Sequence, residues 1–115
     1  MISYKRGDIV LVNFNPQKKP EEIGKTRPAI IISDSELNEI LDLVSVVALT
    51  TNLIDDSEPL RIRISKRENL TQESDAMVEQ LRSVSKSRIG EKIASCTTEE
   101  LEKIAFGIKS MLSLY

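Results

Sequence analysis

Three runs rich in β-branched residues open the chain and leave little choice of fold. DIVLVNF (8–14), PAIIIS (28–33) and LDLVSVVALTT (41–51) are separated by polar or Pro-containing breaks. Val, Ile and Thr stiffen χ1 and pack well on a pleated surface, so these segments are expected to be strands. LRIRI (60–64) alternates strictly, with Leu60, Ile62 and Ile64 on one face and Arg61 and Arg63 on the other. DAMVEQLRSV (75–84) reads as a fifth strand. Several short strands in succession predict a mainly β, α+β domain built as a small barrel or curled sheet. Near the end Leu101, Ile104, Ala105, Ile108, Met111 and Leu112 recur at helical spacing, and Thr97 with Glu100 supplies a capping box in front of them. A shorter helix is expected after Ser35, through Leu37, Ile40 and Leu41.

At 115 residues the chain is expected to form one domain, 1–115, without internal repeats. No run of eighteen apolar residues occurs and the N-terminal segment alternates, so neither a membrane span nor a secretory signal is expected; the reading is cytoplasmic. There is no histidine, and Cys96 is the sole cysteine. A Ser-His-Asp triad, histidine-containing zinc sites and thiolate clusters are therefore excluded, and no metal or other cofactor is expected. Cys96 reads as a small apolar filler. The net charge of −2 argues against bulk electrostatic coating of nucleic acid. Local clusters of positive charge (Lys18, Lys19, Lys25 and Arg27; Arg61, Arg63, Lys66 and Arg67; Arg82, Lys86 and Arg88) could still line one anionic groove, or be scattered solubilising charge.

Within GKTRPAIIIS (24–33), Arg27 stands before Pro28, which biases its backbone to an extended conformation at the mouth of a core strand. A guanidinium is charged at every relevant pH and offers forked donors suited to a phosphate. Taken alone, the arginine is more simply explained by a surface salt bridge to Glu21 or Glu22. NPQKKPEEIGKT (15–26) reads as a long loop between the first two strands. Thr50 and Thr51 end the third strand. Parity groups Thr50 with Val44, Val46 and Ala48, and Thr51 with Ser45, Val47 and Leu49, so the pattern does not decide which hydroxyl faces a site. In EQLRS (79–83), Gln80 and Arg82 fall on one side of the expected strand, where they could contact a nucleotide or simply be solvated.

Four motifs in order resemble the MazF/PemK family of bacterial toxins: KRGDIVLVNFNP (5–16), EEIGKTRPAIIIS (21–33), VVALTT (46–51) and VEQLRSVSKSRIGEKIASCTTEELEKI (78–104). The resemblance covers nearly the whole chain. It implies an SH3-like barrel of the CcdB/PemK type with a C-terminal helix, usually a homodimer, acting as a metal-independent endoribonuclease on single-stranded RNA. It further implies a cognate antitoxin whose disordered tail lies across the RNA groove. The family's catalytic arginine falls on Arg27 and its strand threonine on Thr50. Its loop glutamate falls nearest Glu22, and its Q-x-R pair on Gln80 and Arg82, with Lys25 and Thr51 as further candidates for RNA contact. The loop departs from the family's E-Q-G-G pattern, carrying Ile23 and Lys25. Met77 and Glu79 stand where the plasmid-borne branch carries an arginine and an aspartate, which favours an arrangement centred on Arg27 and Thr50. The competing readings are a non-enzymatic, gyrase-binding toxin of the CcdB type, whose C-terminal Trp-Gly-Ile is replaced here by SLY, and an inert SH3-like binding module.

Overall fold

The computed structural model describes residues 3–14 and 26–114. Seven strands form one antiparallel sheet: β1 (Asp8–Asn13), β2 (Thr26–Ile31), β3 (Leu43–Thr50), β4 (Arg61–Ile64), β5 (Ser74–Met77), β6 (Arg82–Ser85) and β7 (Ile89–Ser95). Two helices accompany them, α1 (Ser35–Ile40) between β2 and β3, and α2 (Thr98–Leu112) at the C-terminal end. The strand order is β4-β5-β3-β2-β1-β7, with β6 paired to β3 off this path. These pairings leave the sheet open, with β4 and β7 as its edges among the described residues. The mainly β architecture with a terminal helix agrees with the sequence reading; the barrel-like element is a curled sheet that does not close.

The curl begins at β3, which serves two partners along one edge. Its first half, Leu43–Val46, pairs with β6, and Leu49 and Thr50 pair with β5. The segment expected to be one strand over 75–84 is thus two strands separated by a 3₁₀ turn at Val78–Gln80. Val78 fills the core at that turn, and the Leu81 N–H closes it onto the Val78 carbonyl. The break lets the chain leave the end of β3 and rejoin it at its beginning.

Both faces of the sheet are covered at their centres, which is why the strands read as continuous apolar runs rather than as clean alternation. On one face Ile9, Ile30, Val47, Leu49, Ile62, Ile64 and Ala76 pack with Ile104 of α2. On the other, Val10, Val12, Ala29, Ile31, Val44, Val46 and Val84 form a second cluster, flanked by Tyr4, Phe14 and Ile89. Each fully buried Ile or Val contributes about 1.5–3 kcal/mol. A one-residue slip would exchange the two sets, so the clusters help to fix the register.

α2 carries the expected capping box. The Thr97 hydroxyl accepts from the Glu100 N–H, and the Glu100 carboxylate accepts from the Thr97 N–H. The same carboxylate binds Arg67 in a fork, Nη1 to Oε1 and Nη2 to Oε2, each at 2.6 Å. Arg67 Nη1 also reaches the Ser95 carbonyl, tying the β4–β5 connection and the end of β7 to the start of α2. α1 begins at Asp34, whose side chain accepts from the Glu36 and Leu37 amides. Asn38 is its buried residue, and its amide donates to the Tyr4 and Ser33 carbonyls. Cys96 packs half-buried against the first cluster, as its reading as a filler requires.

Candidate active site

Pro28 lacks an N–H, and the three residues after it, Ala29, Ile30 and Ile31, are fully buried. Arg27 is the exposed residue just outside this anchored segment, opposite Val12 of β1. On the other side of β2, Ala29 stands opposite Ala48 of β3. Two residues further out along each strand are Arg27 and Thr50. Strand alternation puts both on the face of the second cluster, because Ala29 and Ile31 belong to it, as do Val44 and Val46. Thr50 in turn stands opposite Asp75 of β5, and Asp75 opposite Arg63 of β4. Thr50, Asp75 and Arg63 therefore form one cross-strand row, and Arg27 lies on the same face two residues beyond the last β2–β3 pair, Ala29 with Ala48. Directly opposed side chains have Cβ atoms about 4.5–5.5 Å apart, so neighbours along such a row can interact.

These groups differ in what they have left to offer. Arg63 is occupied: its Nε donates to Asp75 Oδ1 at 2.6 Å and its Nη2 to Asp55 Oδ1 at 2.8 Å. These bonds hold its guanidinium more firmly protonated than usual. Burial pushes the Asp75 carboxyl upward, but the bonds from Arg63 and from the Ile54 amide outweigh it and keep the group below its usual range. Arg27 makes no ion pair with any described residue. No described carboxylate competes with an anion for its guanidinium. The Thr50 side-chain oxygen accepts from the Asn52 N–H at 3.1 Å, which uses a lone pair and leaves its O–H to donate elsewhere.

One step inward on the same face, β2 and β3 carry the opposed small side chains of Ala29 and Ala48. Arg82 lies on the same face, in β6 opposite Val46. Its guanidinium sits 5.2 Å from the centre of the Phe14 ring, a cation–π contact that joins the end of β1 to β6. Gln80 is exposed in the 3₁₀ turn and does not share a strand with Arg82, so the expected one-sided strand pair is corrected here. Thr51 falls on the other side of the sheet, lining a cavity of about 410 Å³ with Leu11, Pro28, Asn69 and Leu70. Parity alone left Thr50 and Thr51 equivalent; in the structure Thr50 lies on the face of the second cluster, as Arg27 does, and Thr51 on the opposite face. Glu22 and Lys25, and most of the 15–26 loop, lie outside the described residues.

The described cations do not pool into one groove. Arg67 is consumed by Glu100, Arg63 by Asp75 and Asp55, and Lys86 sits 5.3 Å from the Tyr4 ring centre. Arg27 and Arg82 are the arginines of this face that no described carboxylate binds. Asp75 was absent from the sequence-derived candidates, and Arg63 stood there only as one of the cations that could line an anionic groove. The available signal was the outward arginine of the alternating RIRI strand, which requires an acidic partner if it is to be partly covered.

The family described as PemK-like, MazF-like toxin of type II toxin-antitoxin system matches residues 5–112. The chain belongs to this family. The Endoribonuclease MazF of Staphylococcus saprophyticus is 28% identical to it over 112 residues, 96% of this chain and 92% of that protein. Among solved structures, MazF (Form-I) from Deinococcus radiodurans superposes with a TM-score of 0.78 at 22% identity, covering 99% of this chain and 100% of that one. The MazE-MazF complex (Form-II) from the same organism gives 0.78 at 19% identity, with 100% of each chain covered. The Mycobacterium tuberculosis toxin MazF-mt6 also gives 0.78, at 17% identity over 94% of this chain and 98% of that one. At these identities the structural likeness establishes the MazF-like fold. Among the described residues of this MazF/PemK-like chain, no group of three or more acidic or cysteine side chains is placed to hold a metal ion, and no helix is long and apolar enough to cross a membrane.

Proposed function

We propose that this chain is the endoribonuclease toxin of a type II toxin-antitoxin system, cutting single-stranded mRNA at a short sequence. The reading is supported by Arg27, which no described carboxylate binds, and by the Thr50 hydroxyl, both at the rim of the same sheet face. The family membership and the endoribonuclease relative supply the substrate class. RNA brings its own nucleophile, the ribose 2'-hydroxyl. Attack in line on the adjacent phosphorus, with loss of the 5'-oxygen, gives a 2',3'-cyclic phosphate and a 5'-hydroxyl. Such a reaction gains most from fixed donors aimed at the added negative charge. Arg27 would hold the phosphorane oxygens in its fork, and Thr50 would donate its hydroxyl proton to the same group. Neither role needs a metal or an imidazole. Arg82, stacked on Phe14, would meet a flanking phosphate, with Gln80 beside it on the neighbouring turn. Glu22 remains the candidate for moving the proton of the 2'-hydroxyl, and Lys25 a loop contact to the RNA.

The working form is proposed to be a cytoplasmic homodimer restrained by a cognate antitoxin whose disordered tail covers the Arg27–Thr50 face. The MazE-MazF complexes among its structural relatives support that partner class. The deciding experiment uses purified protein, freed of antitoxin, with a long single-stranded RNA and its DNA counterpart in excess EDTA. Cuts in RNA alone, at one recurring motif and with 5'-hydroxyl ends, are expected. An intact RNA with a folded protein would overturn the reading and favour a gyrase-binding or non-catalytic module. Cleavage that EDTA abolishes would overturn the metal-independent chemistry.

A further inference from the structure

The segment that leaves Thr50 is tied back at four points, one of them the Arg61 Nη1–H donated to the Asn52 carbonyl at 3.4 Å. The Asn52 N–H is bound by the Thr50 hydroxyl oxygen at 3.1 Å, the Ile54 N–H by Asp75 Oδ2 at 2.8 Å, and the Asp55 carboxylate by Arg63 Nη2 at 2.8 Å. Two of these ties run through one group, because Asp75 also holds Arg63 through Oδ1. Asp75 is only 1% exposed, although it stands one strand from Thr50 at the rim of the sheet. A carboxylate is costly to bury unless several donors satisfy it. Here the donors come from β4 and from the segment after Thr50, so the carboxylate joins them at a fixed distance. The carboxyl group carries no proton to give, and both its oxygens are occupied by structural donors.

We propose that Asp75 is a positioning residue that sets the direction of the Thr50 hydroxyl. By clamping Ile54, Asp75 keeps the Asn52 N–H against the Thr50 oxygen; that bond occupies a lone pair and turns the hydroxyl proton outward, to where an RNA phosphate would lie. Arg63 assists by holding Asp75 in place and by pinning Asp55. The catalytic consequence rests on the ribonuclease reading above, but the orientation of the hydroxyl does not depend on it.

Asp75→Asn tests this with little change in shape. The two donors sit at different oxygens of the carboxylate, and in an asparagine one of these positions becomes an NH2 donor, so the side chain cannot serve both the Ile54 N–H and the Arg63 Nε–H where they stand. Amide hydrogen exchange at Asn52 and Ile54 is read on the full chain, and steady-state RNA cleavage is measured in parallel. Faster exchange at Asn52 is expected in Asp75→Asn, together with a fall in kcat of roughly 10- to 100-fold and a KM within about twofold of wild type. Arg63→Gln, which leaves Asp75 able to hold Ile54, should give a smaller change of the same kind and serves if Asp75→Asn does not fold. Unchanged Asn52 protection would overturn the proposal, as would a rise in KM at constant kcat. A wild-type protein that cuts no RNA would overturn the ribonuclease reading alone, since exchange at Asn52 still decides whether Asp75 orients Thr50.

Discussion

Thr50→Val separates chemistry from folding at this site. Valine is nearly isosteric with threonine and equally β-branched, so the strand preference and side-chain volume of position 50 are retained. The cost in stability is then the loss of the hydrogen bond that the hydroxyl makes among the described residues, from the Asn52 amide. Thr50 is half-buried and water can replace that partner, so the loss is about 1 kcal/mol. For a domain of this size that lowers Tm by roughly 3–6 °C. The cost in catalysis is larger, because a fixed donor to the phosphorane is worth roughly a factor of 10²–10³ in kcat. Arg27→Ala should separate the two effects still further. Arg27 is exposed and bound to no described carboxylate, so its removal changes stability by no more than about 0.5 kcal/mol. Single-turnover cleavage of a fluorophore-quencher RNA, with circular dichroism melting of the same samples, measures both quantities. Thr50→Val cutting within threefold of wild type would refute the assigned role, as would an Arg27→Ala loss that merely follows its unfolded fraction.

Other consequences follow from groups outside the row. Burial pushes the Glu100 carboxyl upward, but its bonds from Arg67 and from the Thr97 amide prevail and hold it below the usual range. A group depressed in the fold stabilises above its unfolded pKa, about 4.3 for glutamate, and loses that contribution as pH falls through the folded value. Tm should therefore drop below roughly pH 4.5 in wild type, and Glu100→Gln should cost about 2–3 kcal/mol at pH 7 while flattening this acid limb; a thermal melt series from pH 3 to 7 checks both. Gly107→Ala should destabilise by about 2 kcal/mol in urea melts despite the better helix propensity of alanine, because the added Cβ would collide with the Pro59 carbonyl and crowd Val78. Burial, with the Glu100 charge adding to it, pushes the Cys96 thiol up to about 12, so it should resist disulfide reagents at pH 8 in the native protein and react promptly once denatured.

The elements most legible in the sequence were those whose pattern is local. β1, β2 and β3 announce themselves as β-branched runs because both their faces are buried, and α2 through its capping box. β7 gave no strand reading of its own in the sequence. Its residues Gly90, Glu91 and Lys92 are exposed and only Ile93 and Ala94 are buried, so its apolar signal is two residues long. β5 and β6 merged into one expected strand because no glycine or proline marks the 3₁₀ turn, and Val78 continues the apolar pattern through it. Arg27 could be singled out from Pro28 and the run after it. Its grouping with Thr50, Asp75 and Arg63 could not, since it depends on three separate pairings between distant strands.

Those pairings explain why a polar row can be held so firmly at the rim of an open sheet. β2 and β3 are pinned on two faces: Ile30 and Val47 belong to one cluster, while Ala29, Ile31 and Val46 belong to the other. A one-residue slip of β3 would send Val47 into the space of Val46, and would carry Thr51 to the place of Thr50. Each slip thus costs core packing on both sides at once, and the same cost keeps the hydroxyl level with Arg27. Charge along the row then divides the work. Asp75 absorbs the positive charge of Arg63 and converts it into a structural tie, so Arg63 and Arg27 do not act alike. Arg27, without a described carboxylate, remains the cation that an incoming phosphate can meet.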